Sequence, residues 1–239
     1  MATYNKGRKV KNTQPKGDIL EQEIQLQESY GKAEKFVEDN RNIVLGIVGG
    51  ILVLILAFLA FNNLYVPGQE KEAQAEMYVA ERYFKQDSFQ LALNGNGNSL
   101  GFIDIMDSYS GMTDATSLAA YYAGVSYLNL GDYDNAVTYL KKFDGDDEVV
   151  STMALGALGD AYSELGDMSN AISYYKKAAG NSNNEFTATM YWMRAGQAME
   201  LEGNNSGAKA AYESIKKEYP TSQVGQSIDK YIARVEAKM

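Results

Sequence analysis

From Ile43 to Phe61, nineteen consecutive positions carry neither a charge nor a proline, and fourteen of them are Ile, Leu, Val or Phe. At about 1.5 Å of rise per residue the run spans about 28 Å, close to the hydrocarbon thickness of a bilayer. Each of these apolar residues contributes about −0.3 to −0.6 kcal/mol to insertion, so the gross term is about −4 to −8 kcal/mol before the glycines reduce it. The pattern predicts a transmembrane helix over 42–65. The run is long for a signal sequence, a long segment precedes it, and Phe61-Asn62-Asn63-Leu64 offers no small-x-small cleavage site. It is therefore expected to remain as an anchor.

The pattern before the span is different. Residues 1–17 are basic and polar and contain Gly7, Pro15 and Gly17, which predicts a disordered tail. In 18–41, Asp18 suits a helix N-cap, and Ile19, Leu20, Ile24, Tyr30, Ala33, Phe36 and Val37 fall at mostly helical spacing broken by Gly31. This stretch is either a helix that docks on a cytoplasmic partner or lipid headgroups, or a fraying extension of the membrane helix.

After the span, small and large residues recur in a fixed register. Gly124, Tyr127, Gly131 and Ala136 return as Gly159, Tyr162, Gly166 and Ala171, and again as Gly196, Met199, Gly203 and Ala208. Offsets of 35 and 37 residues predict paired antiparallel helices stacked as a solenoid. The small residues let two helices approach, the aromatic and Leu positions fill the space between pairs, and Gly131 and Gly166 end helices in the left-handed conformation. Met77, Ala80 and Tyr83 read as the opening helix of a degenerate first copy. Phe102 to Tyr109 aligns without a gap on Tyr212 to Tyr219, and Asn94-Gly95-Asn96-Gly97-Asn98-Ser99 is a loop inserted between them. Its glycines have neither the spacing nor the strand of a phosphate cradle. Val224, Ile228, Tyr231, Ile232 and Val235 form one apolar stripe, as a terminal capping helix requires.

The repeated residues also match a Trp-x2-Leu-Gly-x2-Tyr…Ala-x3-Phe…Pro pattern. It fits Trp192, Ala195, Gly196, Met199, Ala208, Tyr212 and Pro220 in the last copy, and Leu155, Leu158, Gly159, Tyr162, Ala171 and Tyr175 in the one before. In the earliest complete copy it fits Ala120, Ala123, Gly124, Tyr127, Ala136 and Leu140. The chain thus resembles the tetratricopeptide repeat family. The resemblance implies an all-α solenoid of about four helix pairs, the first degenerate, over 66–239, with a binding surface and no catalytic pocket. The first helix of each pair is expected to line the inner groove. The register then exposes Met77, Glu81 and Phe84; Tyr121, Val125, Leu128 and Asn129; Gly156, Asp160 and Ser163; and Met193, Gln197 and Glu200. Val125 and Leu128 suit the core equally well. Such a face suits an extended, partly apolar peptide or an unfolded client. Relatives that clamp a carboxylate tail use Lys, Arg and Asn there, which Tyr121, Val125, Gly156 and Asp160 do not supply.

Composition narrows the chemistry. The 239 residues include no His and no Cys, which removes thiolate nucleophiles, disulfides, His-based triads and His/Cys zinc sites. The acidic run Asp144 to Glu148 lacks the spacing of a calcium loop and reads as a solvated link. No pair of carboxylates is singled out for acid and base work, so the expectation is a non-enzyme without metal, cofactor or small-molecule substrate. Residues 68–239 hold 14 basic and 24 acidic residues, which argues against nucleic acid and against an anionic membrane surface as partners. Lys32, Lys35 and Arg41 flank the span on its N-terminal side and Lys71 alone on the other, which predicts a cytoplasmic N-terminus and external repeats. Gly46 and Gly50 form a G-x-x-x-G that lets this helix meet a partner helix or a second copy.

The order of parts is a short tail, Phe36-Val37-Glu38-Asp39-Asn40-Arg41 before a glycine-containing span, then external repeats. It resembles the YfgM family. That resemblance implies an ancillary subunit of the bacterial Sec translocon in the inner membrane, associated with translocon subunits, a periplasmic chaperone and secreted clients. The tail here is longer than in that family, and the Asn/Gly insert after Leu93 is an addition. A cell-envelope scaffold for outer-membrane assembly or division machinery, and a free-standing holdase chaperone, are the alternatives.

Overall fold

The computed structural model describes residues 30–239 except 33, 110–112 and 183. The expected 1–17 tail and the 18–29 part of the juxtamembrane helix lie outside the described residues. The chain divides after Phe61 into two compact units. In the first, 34–39 are helical and α1 spans Arg41–Ala60, a helix long and apolar enough to cross a membrane, with none of its residues buried.

A π-helical turn, Phe61–Tyr65, leads to the second unit. Its helices are α2 (Val66–Lys85), α3 (Phe89–Asn94), α4 (Phe102–Ser108), α5 (Asp114–Asn129), α6 (Tyr133–Leu140), α7 (Glu148–Glu164), α8 (Met168–Asn181), α9 (Glu185–Leu201), α10 (Asn205–Glu218) and α11 (Asp229–Glu236). No strand occurs among the described residues. Side-chain caps define most starts: Thr113, Asp132, Asp147, Asp167, Asn184 and Asn204 each accept a backbone N–H from the first turn of the helix that follows. Each cap is worth about 1 kcal/mol. Within the acidic link 144–148, Asp147 has a structural role: it caps α7 through Val150 N at 2.8 Å.

Helices α5–α6, α7–α8 and α9–α10 are antiparallel pairs closed by one turn. Gly131, Gly166 and Gly203 take φ of 77°, 77° and 74°, and the next residue donates its N–H back to the carbonyl of Tyr127, Tyr162 or Met199 at 3.0, 2.9 and 2.8 Å. The same turn ends α2, where Ser88 N reaches Tyr83 O at 2.9 Å, but the left-handed position is held by Asp87 at φ 55°. The degenerate first copy is thus a true pair by geometry. A residue with a Cβ is strained at that φ. Asp87→Gly is expected to raise the stability of this unit by about 0.5 kcal/mol and Asp87→Val to lower it, as read from thermal melts. A melt that moves the opposite way for either variant would contradict this account of the turn.

Small residues set the helix spacing within pairs. A Cβ added at Gly124 would lie 2.5 Å from Leu140, at Gly159 2.5 Å from the Tyr175 ring, and at Gly196 2.3 Å from the Tyr212 ring. The insert breaks the second helix of the first pair into α3 and α4. Asn96 organises it: its side-chain oxygen accepts from Asn98 N and Ser99 N at 2.9 Å, and its amide donates to the Tyr83 hydroxyl at 2.8 Å. Phe102 and Ile105 of α4 are fully buried, as are their counterparts Tyr212 and Ile215. At the C-terminus a 3-10 turn, Gly225–Ser227, precedes α11, and Ile228, Ile232 and Val235 cover the last pair as expected.

Candidate protein-binding groove

The first helices of successive pairs touch one another, α2 with α5, α5 with α7 and α7 with α9. They form one continuous wall, and the residues selected by register lie along it in three environments.

Several are core. Met77 is 3% exposed and packs with Ala80, Phe102 and Ile105. Phe84 sits edge-on to Phe89 at 5.6 Å and to Tyr122 at 5.0 Å. Tyr121 is buried among Leu140, Ala154 and Leu158, and burial, with Tyr191 and Tyr122 nearby, pushes its phenol up to about 12. Val125 and Leu128 pack on that same cluster. Gly156 lies beneath Tyr191, whose ring is 2.1 Å from where a Cβ would stand. The expectation that Met77, Tyr121 and Gly156 are exposed is therefore corrected, and Phe84 is half-buried: packing against other helices covers these positions, which a register counted within one helix does not report.

Two acids have internal partners. Asp160 on α7 accepts from the Tyr175 hydroxyl of α8 at 2.7 Å and from the Arg194 guanidinium of α9. Glu200 on α9 accepts from the Tyr212 hydroxyl of α10 at 2.7 Å, and from Arg234 and Lys238 at 2.5 and 3.0 Å. In both clasps an acid joins its own pair to the next element. Tyr191 and Arg194 recur as Tyr231 and Arg234, with each arginine over its tyrosine ring, so α11 stands where a further first helix would. This Tyr-x-x-Arg echo is legible in the sequence and identifies the clasp.

Burial alone would raise the Glu200 pKa, but the hydrogen bonds from Arg234, Tyr212 and Lys238 outweigh it and hold the carboxyl at about 2 against an ordinary 4.5. The folded pKa is the lower one, so this stabilisation is present above about pH 4.5 and is lost as pH falls towards 2. With Arg234 and Lys238 half exposed and screened, it amounts to about 2 kcal/mol. Glu200→Gln is expected to be less stable at neutral pH, and the gap to the unmodified chain should close on acidification. A gap between the two melting curves that does not change across that window would count against the clasp.

The remaining positions are open or lightly used. Asn129 is exposed and bonds only to Val125 O in its own helix at 2.8 Å, Ser163 touches the Met168 sulfur at 3.8 Å, and Glu81 pairs with Lys85 at 3.6 Å. Met193 and Gln197 line a groove of about 780 Å³ with Phe186, Met190, Glu185, Arg194 and Val224. Leu128, Asp160 and Ser163 meet at a second recess of about 370 Å³, and Met77 and Glu81 at a third of about 300 Å³. Phe186, 73% exposed, escaped the register because it precedes the repeat's first counted position. In α1, a Cβ at Gly46 or Gly50 would meet nothing within 4 Å.

Protein-family profiles of the tetratricopeptide repeat match residues 118–144, 154–184 and 191–222. The three pairs are tetratricopeptide repeats. No curated protein matches the chain. The matched segments coincide with α5–α6, α7–α8 and α9–α10, while α2–α4 carries the same turn outside them. Tetratricopeptide repeats are protein–protein interaction scaffolds, so this unit has the build of an adaptor. Among the described residues no group of three or more acids is arranged to hold a metal ion.

Proposed function

We propose that the chain is a single-pass, non-catalytic adaptor of the bacterial inner membrane, with its N-terminus in the cytoplasm and its tetratricopeptide repeats in the periplasm. In this reading it is an ancillary subunit of the Sec translocon that hands secreted proteins to a periplasmic chaperone. The observation that carries it is the union, in one chain, of an apolar helix of bilayer length with a protein-binding solenoid. The excess of Lys and Arg before the span supports the orientation. The resemblance of the whole layout to the YfgM family supports the translocon. Gly46 and Gly50 offer a smooth helix face for a channel helix or a second copy.

The test is recovery of the tagged full-length protein from gently solubilised native membranes, with identification of co-purifying chains. Translocon subunits or a periplasmic chaperone in near-equal amounts are expected. Outer-membrane assembly or division proteins in their place would move the function to an envelope scaffold, and a reporter after Met239 that is active in the cytoplasm would reverse the topology.

A further inference from the structure

Charge is partitioned across the solenoid. The first helices α5, α7 and α9 hold six acids, Asp114, Glu148, Asp160, Glu164, Glu185 and Glu200, and one base, Arg194, which Asp160 already engages. The lysines sit on or just after the second helices, at 141, 142, 176, 177, 209, 216 and 217. The imbalance is sharpest around the start of α5, which faces α2 on one side and α7 on the other. A recess of about 390 Å³ is lined by Leu118, Phe143 and Val150 and rimmed by Asp114, Asp144, Asp146 and Asp147. It shares Asp114 and Leu118 with the recess of about 300 Å³ against α2, which adds Glu70, Glu81 and Met77. A third, of about 420 Å³, shares Asp114 and Asp144 and adds Asp107, Met106 and one cation, Lys142. The three recesses adjoin at Asp114, and the two that share Leu118 form a groove with an apolar floor and an acidic rim.

Two cations touch this region, and each has a partner there: Lys142, which lines the recess of about 420 Å³, and Lys85, beside Glu81. Lys142 lies 4.6 Å from the Tyr139 ring centre, and Lys85 pairs with Glu81. Among the described residues no ion pair reaches Asp114, Asp144 or Asp146. The rim is also held in place: Asp144 N donates to Ser117 Oγ at 2.8 Å, and Glu70 accepts from Ala115 N at 3.2 Å. The larger groove at Phe186 has Glu185 and Arg194 together and selects no sign of charge.

We propose that the groove around Asp114 and Leu118 binds an extended polypeptide segment in which basic residues alternate with apolar ones. Apolar side chains enter over Leu118, Phe143 and Val150, and Lys or Arg heads meet Asp114, Asp144 and Asp146. An anionic segment is repelled by the same rim, and a cationic segment without apolar side chains leaves the floor empty. The inference rests on the protein-binding reading of the repeats.

The test uses the full-length protein in lipid discs with neutral headgroups and a fluorescein-labelled peptide of alternating Lys and Leu, followed by anisotropy. Binding is expected to weaken by about tenfold or more in Asp144→Lys/Asp146→Lys, and likewise when salt is raised from about 0.05 to about 0.5 M. The milder Asp144→Asn/Asp146→Asn, which keeps the size of both exposed side chains, should fall between. A Glu–Leu peptide and an all-Lys peptide should each bind about tenfold more weakly or worse. Equal binding of the Glu–Leu peptide, or affinity unchanged in both variants whose circular dichroism is unaltered, overturns the proposal. If the charge-reversed protein keeps every partner recovered from membranes and the peptide does not bind, the adaptor reading stands without this groove. If the peptide binds and the unmodified protein recovers no partner, the groove stands and the translocon reading falls.

Discussion

Replacing Tyr212 by alanine is expected to uncouple the C-terminal end of the solenoid and to lower its stability by about 3–5 kcal/mol. Tyr212 is fully buried, its ring fills the space that Gly196 leaves open, and it lies 5.6 Å from the Tyr231 ring. Its hydroxyl donates to Glu200, so truncation leaves a cavity and also loosens the clasp to Arg234 and Lys238. In a chain of this size the loss corresponds to about 10 °C or more in Tm. Solenoids unfold partly pair by pair, so hydrogen exchange should quicken first in α9, α10 and α11 while α2 to α5 keep their protection. Tyr212→Phe should cost only about 1–2 kcal/mol, since it keeps the ring and leaves Glu200 two cationic donors. A melt of Tyr212→Ala within a few degrees of the unmodified protein, or exchange that quickens evenly, would defeat the assignment of this ring as the joint of the last pair.

Arginine at both Leu52 and Leu54 is expected to abolish stable membrane integration. Each substitution exchanges about −0.5 kcal/mol of favourable insertion for about +2.5 to +3.5 kcal/mol, a combined penalty of about 6–8 kcal/mol. That is comparable to the whole gross term of about −4 to −8 kcal/mol available from the run, before the glycines reduce it. The variant should be extracted from membranes by alkaline carbonate, while the repeat unit, a compact unit with its own core, should melt as before. Resistance of the double variant to extraction would mean that something other than this helix holds the protein on the membrane.

Much of the architecture was legible because it depends on local chemistry repeated at fixed spacing. Gly131 and Gly166 declared their turns, Ala136, Ala171 and Ala208 the close contacts, and the uncharged run its length. Even the degenerate first copy could be aligned, although Asp87 in place of glycine hid its turn. The inner face was harder to read. Met77 and Tyr121 occupy inner-face register positions and are nevertheless buried, while Phe186, outside the counted register, is open.

By itself, then, the sequence determined an apolar span, a count of helix pairs and the family of the repeats, since helix periodicity, turn glycines and small-residue contacts act within a few dozen residues. The tertiary structure alone decided which inner-face side chains are free. Asp160 and Glu200 became clasps, and Asp114, Asp144 and Asp146 converged on an apolar floor, because burial and charge pairing between repeats depend on contacts with the next pair, which the register of one repeat does not contain.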